Sequence, residues 1–390
     1  MRIIPLFERG RLVIQGALNI KKLLSAMRRL DASDLHIKVG ISPTYRIGGM
    51  LRPIEADPIG EDEADHLLDP LLSEVQQAMF DETGNLDFAW HFEHPDGTTD
   101  RFRINMLRSG NHTHAAIRRV KGVIPTYEDL RLPPVYSQIV DKEREGLVLI
   151  VGTTGCGKSS TLAAMVDHVN QTRAENIITV EDPVEYRFEP KLSIISQREI
   201  GIDVNDFHTA LRYVVRQDPN VILIGEMRDQ ETVLSAIQAA ETGHLVFATL
   251  HTGDTMGAFG RMLEFFPQDE RAFVRGSLAG TLKAICAQRL IAANEDVAGN
   301  KVVPACEVLL TSPTVRELIR DERDTDLPAV VANSKSEGMQ SFTQALAELV
   351  EKEWIDMQTA MDYAPNVDAL KSMLKGVEVK AGTLVGRLKG

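Results

Sequence analysis

Between Gly152 and Ser160 the chain reads G-T-T-G-C-G-K-S-S, directly after the apolar run G-L-V-L-I-V. Gly152, Gly157, Lys158 and Ser159 complete the G-x-x-x-x-G-K-[ST] pattern, with Gly155 between them, and such glycines let backbone N–H groups close around phosphate oxygens. In that role Lys158 reaches the β- and γ-phosphates, and Ser159 holds Mg²⁺. The whole stretch, Gly152, Thr153, Thr154, Gly155, Cys156, Gly157, Lys158, Ser159 and Ser160, is therefore the candidate phosphate cradle. The plain alternative is a glycine-rich turn with an idle lysine. A strand pattern before the loop and a helical one over 159–169 favour the cradle, because a helix N-terminus offers unpaired N–H groups to an anion.

In open α/β sheets ligands sit at the carboxyl ends of the strands, so the residues that end the neighbouring strands matter. I-I-T-V runs into Glu181, Asp182 and Pro183, with Glu185 following; V-I-L-I runs into Gly225 and Glu226, then Arg228 and Asp229. H-L-V-F-A-T-L ends at His251 and Thr252. Phosphoryl transfer requires a carboxylate to orient the attacking water, another near the metal, and a polar side chain that senses the γ-phosphate. Any one of these could be a solvated strand end, but their clustering points to a reactive centre. His244, at the start of its strand, is expected to pack or to cap.

Transition-state charge on a transferred phosphoryl group is often met by an arginine from elsewhere. In R-F-R-I-N the period of two puts Arg101, Arg103 and Asn105 on one strand face, with Phe102 and Ile104 packing beneath, so a cationic face is expected. Arg118 in A-A-I-R-R-V is a second source, and Arg212 with Arg216, four apart on one helix, a third. Surface arginines paired to carboxylates are the alternative for each. His91, His94, His112 and His114 fit polar turns better than a metal site, since no carboxylate or cysteine pattern joins them. Cys156, at a helix N-terminus, is a candidate for a lowered thiol pKa, or else simply a small side chain that fits.

The elements that must position these groups divide the chain into three segments. A mixed α+β domain is expected over 1–120: a helix from Leu18 to Leu30, strands at 33–39, Thr44 to Ile47, Asp87 to Phe92 and Arg101 to Leu107, and one helix near Glu61 to Phe80. The segment 121–140, with three prolines at 125, 133 and 134, reads as a linker. From 141 to 390, strands at 146–151, 177–180, 221–224 and 245–250 alternate with helices at 158–169, 206–216 and 230–240, which predicts a parallel sheet flanked by helices. The stretch from Gln340 to Leu374 is helical by pattern.

With 390 residues, 43% hydrophobic and 25% charged, the chain has the composition of ordinary folded domains. Its net charge of −13 argues against nucleic-acid binding through phosphate contacts. The three cysteines lie far apart without a CxxC pair, which fits a reducing, cytoplasmic setting and no four-cysteine zinc site. Glu8, Arg9 and Arg11 interrupt the place where an export signal would need its apolar centre, and no run reaches the ~20 apolar residues of a membrane helix. Any membrane contact is expected to be peripheral, through a partner.

I-T-V-E-D-P-V-E-Y (178–186), V-I-L-I-G-E-M-R-D (221–229) and A-E-T-G-H-L-V-F-A-T-L-H-T (240–252) resemble the Asp box, atypical Walker B and His box of the secretion-type ATPases of type II secretion and type IV pili. S-D-L-H-I (33–37) with R-F-R-I-N resembles that family's amino-terminal PAS-like domain, and T-V-R-E-L-I-R-D (314–321) the carboxy-terminal box of its PilT-type pilus retraction branch. The resemblance implies an α/β fold, a RecA-like P-loop ATPase domain preceded by a smaller α+β PAS-like domain. It also implies ATP and Mg²⁺ as ligands and a homohexamer at the cytoplasmic face of the inner membrane. Its partners would be a polytopic inner-membrane pilus platform protein, a paralogous retraction ATPase, and no nucleic acid. Glu181 and Glu226 become the carboxylates nearest catalysis, His251 the residue near the γ-phosphate, and Arg101, Arg103 and Arg118 the arginines that approach nucleotide. An accessory retraction paralogue of the PilU type, a pilus extension or secretion ATPase, and a RecA-like nucleic-acid translocase are the competing expectations.

Overall fold

The computed structural model describes residues 7–8, 11–12, 18–94, 99–120, 122–294 and 302–375. They fall into two compact units: those up to Val123 together with Glu185–Arg187, and those from Ile124 onward apart from that tripeptide.

The first unit opens with a two-residue hairpin, β1 (Phe7–Glu8) and β2 (Arg11–Leu12). Helix α1 (Ile20–Arg29) starts where the Asn19 side chain accepts a hydrogen bond from the Lys22 N–H at 2.9 Å. It buries Ile20, Leu23, Leu24 and Met27, apolar residues at helical spacing. Six antiparallel strands form one sheet: β3 (Ala32–Ile37), β4 (Thr44–Ile47), β5 (Met50–Pro53), β6 (Asn85–Glu93), β7 (Thr99–Ser109) and β8 (His112–Val120), in the order β5-β4-β3-β8-β7-β6. Alternation along β7 sends Phe102, Ile104 and Met106 into the core, and each such side chain contributes roughly 1.5–3 kcal/mol by leaving water.

The single helix expected over Glu61 to Phe80 is two, α2 (Glu61–Leu68) and α3 (Glu74–Thr83). Pro70 has no N–H to continue the helical ladder, and Ser73 with Gln76 closes a capping box that starts a new helix. Three of the four histidines expected in turns, His91, His112 and His114, lie on strands, while His94 follows the end of β6 and pairs with buried Asp100 at 2.8 Å. No cluster of metal-ligating side chains occurs among the described residues.

In the second unit, α4 (Val135–Lys142) begins inside the segment read as a linker, where Pro133 and Pro134 precede its first turn. There follow β9 (Gly146–Val151), α5 (Lys158–Thr172), β10 (Asn176–Glu181), β11 (Ile194–Glu199), α6 (Phe207–Val214), β12 (Val221–Ile224), α7 (Gln230–Glu241) and β13 (Leu245–Leu250). Then come α8 (Thr255–Glu264), α9 (Arg271–Thr281), β14 (Leu282–Ala292) and β15 (Val302–Leu310). The sheet order is β11-β10-β12-β13-β9-β14-β15, parallel except for β15. Strands β9, β12 and β13 are buried at every position, as strands covered on both faces must be.

Five short helices complete the described chain: α10 (Pro313–Arg320), α11 (Leu327–Asn333), α12 (Phe342–Glu351), α13 (Met357–Tyr363) and α14 (Val367–Leu374). Strands β1, β2, β5, β8, β11, β14 and β15 escaped sequence reasoning, β14 for a local reason. Helix α9 passes into β14 with no turn residue between them, and Lys283, Gln288 and Arg289 blur the apolar run of β14. Helix α6 ends at Val214, so Arg216 lies in the following turn, not on the helix with Arg212; Asp218, at φ 55°, and Pro219 turn the chain away. No helix among the described residues is long and apolar enough to cross a membrane.

Candidate nucleotide site

Strands β10, β12, β13 and β9 are neighbours in parallel register, so their carboxyl ends bring Glu181, Glu226, His251 and the 152–160 loop to one end of the sheet. The loop's shape depends on its glycines. Gly155 and Gly157 sit at φ 82° and 94°, a region that disfavours side chains. At Gly152, φ 152°, an added Cβ would run into the Cys156 Sγ and come within 2.6 Å of the Gln288 carbonyl oxygen.

Helix α5 begins at Lys158, with Gly157 as a cap that offers no side chain and no acidic residue in the first turn. Its leading N–H groups and positive dipole end are thus left to an anion. The Lys158 side chain is buried, and its ammonium donates to the carbonyl oxygens of Gly152 at 2.8 Å and Thr153 at 3.2 Å, folded back along the loop's inner edge. Thr153 and Thr154 are exposed, and Ser159 and Ser160 half-buried. A loop whose glycines, helix end and lysine all converge fits the phosphates of a nucleotide. The Ser159 hydroxyl is the group that would hold Mg²⁺ beside them.

Around this cradle the strand ends form a chain of close polar contacts. The Thr154 Oγ1 lies 3.4 Å from the His251 Nδ1, and the His251 Nε2 3.3 Å from the Glu226 Oε1. The other Glu226 oxygen, Oε2, accepts from the Arg228 Nε at 2.7 Å and forms an ion pair with Nη2 at the same distance, and this pairing pushes the guanidinium pKa above its ordinary value. Arg228 in turn lies 3.8 Å from the Asp182 carboxylate. Glu181, one strand over, accepts from the Thr179 hydroxyl at 2.7 Å and the Gln197 amide at 3.3 Å.

Gly225 stands where other P-loop NTPases end the strand in aspartate. A Cβ there would lie 3.2 Å from the Glu181 Cα and 3.3 Å from the Val180 carbonyl, so the close approach of β10 explains the glycine. Two further residues escaped sequence reasoning. Gln288, fully buried on β14, exchanges hydrogen bonds with the Thr161 hydroxyl at 2.9 and 3.1 Å and ties the P-loop helix to the sheet. A lone glutamine in an apolar run was its only signal. Arg228 was visible as a neighbour of Glu226, but not as its partner.

Cys156 departs from the lowered thiol pKa entertained for it. The side chain is 4% exposed, and burial raises its pKa despite the nearby Lys158 charge. It packs behind Gly152 and contributes only backbone to the cradle. His244 caps, its Nδ1 2.8 Å from the Ala239 carbonyl at the end of α7.

Arg101, Arg103 and Arg118 belong to the first unit, Arg212 and Arg216 to the second. Arg103 and Arg118 are cross-strand partners on β7 and β8, on the face opposite Phe102, with Arg101 two residues along. The face is mixed, not purely cationic as expected. Arg118 donates to Asp34 at 2.9 Å and Arg103 lies 3.7 Å from Asp87, because the neighbouring strands bring carboxylates into the same row.

Comparison with known proteins agrees with this architecture. Residues 17–340 match the family described as type II/IV secretion system protein. The type IV pilus retraction ATPase PilT of Pseudomonas aeruginosa is 37% identical over 347 residues, 89% of this chain and 98% of that protein. The type IV pilus ATPase PilU of the same organism is 36% identical over 374 residues, 96% of each chain. A crystal structure of the pilus retraction motor PilT with bound ADP superposes with a TM-score of 0.82 at 36% identity, over 92% of this chain and all of that one. The second unit is accordingly a RecA-like ATPase fold.

Proposed function

Since the chain belongs to the type II/IV secretion system protein family, we propose that it is an ATP-hydrolysing motor that drives retraction of a type IV pilus. The observation that carries this is the chain from Thr154 through His251 to Glu226, which joins a phosphate cradle to a carboxylate able to orient water. In the reaction, loop N–H groups and Lys158 bind the β- and γ-phosphates, and the Lys158 ammonium exchanges loop carbonyls for phosphate oxygens. Glu226 orients the attacking water through Oε1, while His251 reports the γ-phosphate to that same oxygen. Glu181 lies on the adjoining strand and serves the metal side of the site. Ser159 would hold Mg²⁺, which would supply charge neutralisation to the phosphates when bound.

The motor is assigned as a homohexamer working on an inner-membrane platform protein at the cytoplasmic face. In it Arg101, Arg103 and Arg118 of one subunit approach the nucleotide of a neighbour. The match to PilU over 96% of both chains supports a second reading, an accessory retraction ATPase working beside a main one.

Two variants test the chemistry. Lys158→Ala loses nucleotide binding and turnover, whereas Glu226→Gln keeps ATP bound and unhydrolysed. A Glu226→Gln protein that turns over at the wild-type rate removes this glutamate from the mechanism. Deleting the gene in its host should leave surface pili abundant while twitching stops. Continued twitching with weakened force points to the accessory role, and loss of pili to an extension motor.

A further inference from the structure

Glu226 carries its two carboxylate oxygens in different surroundings. Oε2 accepts from the Arg228 Nε at 2.7 Å with Nη2 equally near as an ion pair, and Oε1 faces the His251 Nε2 at 3.3 Å. A carboxylate at the end of a strand has free rotation about its terminal torsion unless something fixes it. A charge-assisted bond from Arg228 that holds Oε2 in place limits that torsion. With Oε2 so occupied, Oε1 is the oxygen turned toward His251 and, beyond it, Thr154 of the loop. Arg228 is itself set from two sides, by Glu226 and by Asp182, whose carboxylate lies 3.8 Å away at the end of the neighbouring strand.

The local fold explains why Arg228 can do this. Asp229 begins helix α7, its side chain accepting from the Thr232 N–H at 2.8 Å, so the chain reverses immediately after Arg228. The Met227 N–H donates to the Thr249 carbonyl at 3.0 Å and the Thr249 hydroxyl to the Gly225 carbonyl at 2.6 Å, which pins the backbone on either side of Glu226 to β13. Glu226 and Arg228, two apart in this short irregular link, therefore point to the same side and meet. Arg228 is 57% exposed, more than the 21% of the Glu226 side chain, so the arginine closes the carboxylate's outer flank.

We propose that Arg228 is a positioning residue for hydrolysis: by holding the Oε2 of Glu226, it presents Oε1 to the attacking water between His251 and the phosphate loop. This rests on the role of Glu226 proposed above. Arg228 contacts neither the loop nor its lysine in this arrangement, so its effect belongs in the rate and not in nucleotide affinity. A reacting group displaced by about 1 Å loses on the order of 10²-fold in rate.

The experiment uses the full-length assembled protein, with kcat and KM for ATP, the Kd of a fluorescent ATP analogue, and the thermal midpoint measured in parallel. Arg228→Ala should lower kcat by about 10- to 100-fold while the Kd changes less than about twofold, because orientation is lost and phosphate contacts are kept. Arg228→Lys, which keeps a cation able to donate to Oε2, should recover part of kcat. Asp182→Asn should lower kcat less than Arg228→Ala. Wild-type kcat in Arg228→Ala, with Glu226→Gln inactive, overturns the positioning role and leaves the glutamate's own role standing. Wild-type kcat in Glu226→Gln overturns the role of the glutamate first. A Kd weakened in step with kcat in a folded Arg228→Ala protein shows Arg228 acting on nucleotide directly and also overturns the proposal. Should Arg228→Ala prove unstable, Arg228→Lys decides: kcat and Kd falling together refute positioning, and a fall in kcat alone supports it.

Discussion

Adding one methyl group at Gly152 should disable the nucleotide cradle, and the structure sets the size of the effect. An alanine there must keep φ near 152°, where side chains are rarely found, and such backbone strain costs about 1–3 kcal/mol. Its Cβ would overlap the Cys156 Sγ and approach the Gln288 carbonyl to 2.6 Å. The thiol could turn aside, but the carbonyl is part of β14 and cannot, and overpacking of this kind costs a further 1–3 kcal/mol or so. Strain of roughly 2–6 kcal/mol in total will either lower the stability of the ATPase unit or be relieved by the loop opening, which scatters the N–H groups. The assay is a thermal unfolding series with and without ADP, beside equilibrium binding of a fluorescent ATP analogue. Gly152→Ala should lower the midpoint by at least about 4 °C, or weaken binding more than tenfold, or both. Adding Cys156→Gly should restore only part, since the Gln288 carbonyl remains. A Gly152→Ala protein with wild-type midpoint and affinity refutes the packing argument.

The three thiols should resist alkylation in the folded protein whether or not ATP is bound. Burial raises the pKa of each, that of Cys306 to about 11, so little reactive thiolate exists at pH 8 and labelling should quicken as pH rises; rapid, ATP-sensitive labelling of Cys156 would contradict its packing role. For the arginine face, an Arg101→Ala, Arg103→Ala double variant should lose roughly 10³- to 10⁵-fold in turnover if those side chains reach a neighbour's nucleotide, against about 0–1 kcal/mol of stability if they only pair on the surface. Mixing it with Lys158→Ala subunits should then return single-turnover hydrolysis at interfaces that combine an intact loop with an intact arginine face; a fully active double variant removes the shared site.

What the sequence determined by itself was whatever chemistry is local along the chain. The glycine spacing before Lys158, the apolar runs of β9, β12 and β13, and the polar residues at which those runs stop could all be read, because a buried parallel strand must be apolar and must end where its backbone meets solvent or ligand. The alternation that buries Phe102 and Ile104 and turns Arg101 and Arg103 outward was likewise fixed by a period of two. Tertiary structure decided everything that depends on which strand lies beside which. Gly225 is explained only by the Glu181 backbone beside it, Gly152 only by Cys156 and Gln288 behind it, and the meeting of Glu226 with His251 only by the adjacency of β12 and β13. The cationic face became a mixed one because β3 and β6 place Asp34 and Asp87 in its rows, 84 and 16 residues away from the arginines they meet. Cys156 became a buried packing group because a thiol at a helix N-terminus is governed by burial as well as by the dipole, and here burial outweighs the nearby Lys158 charge.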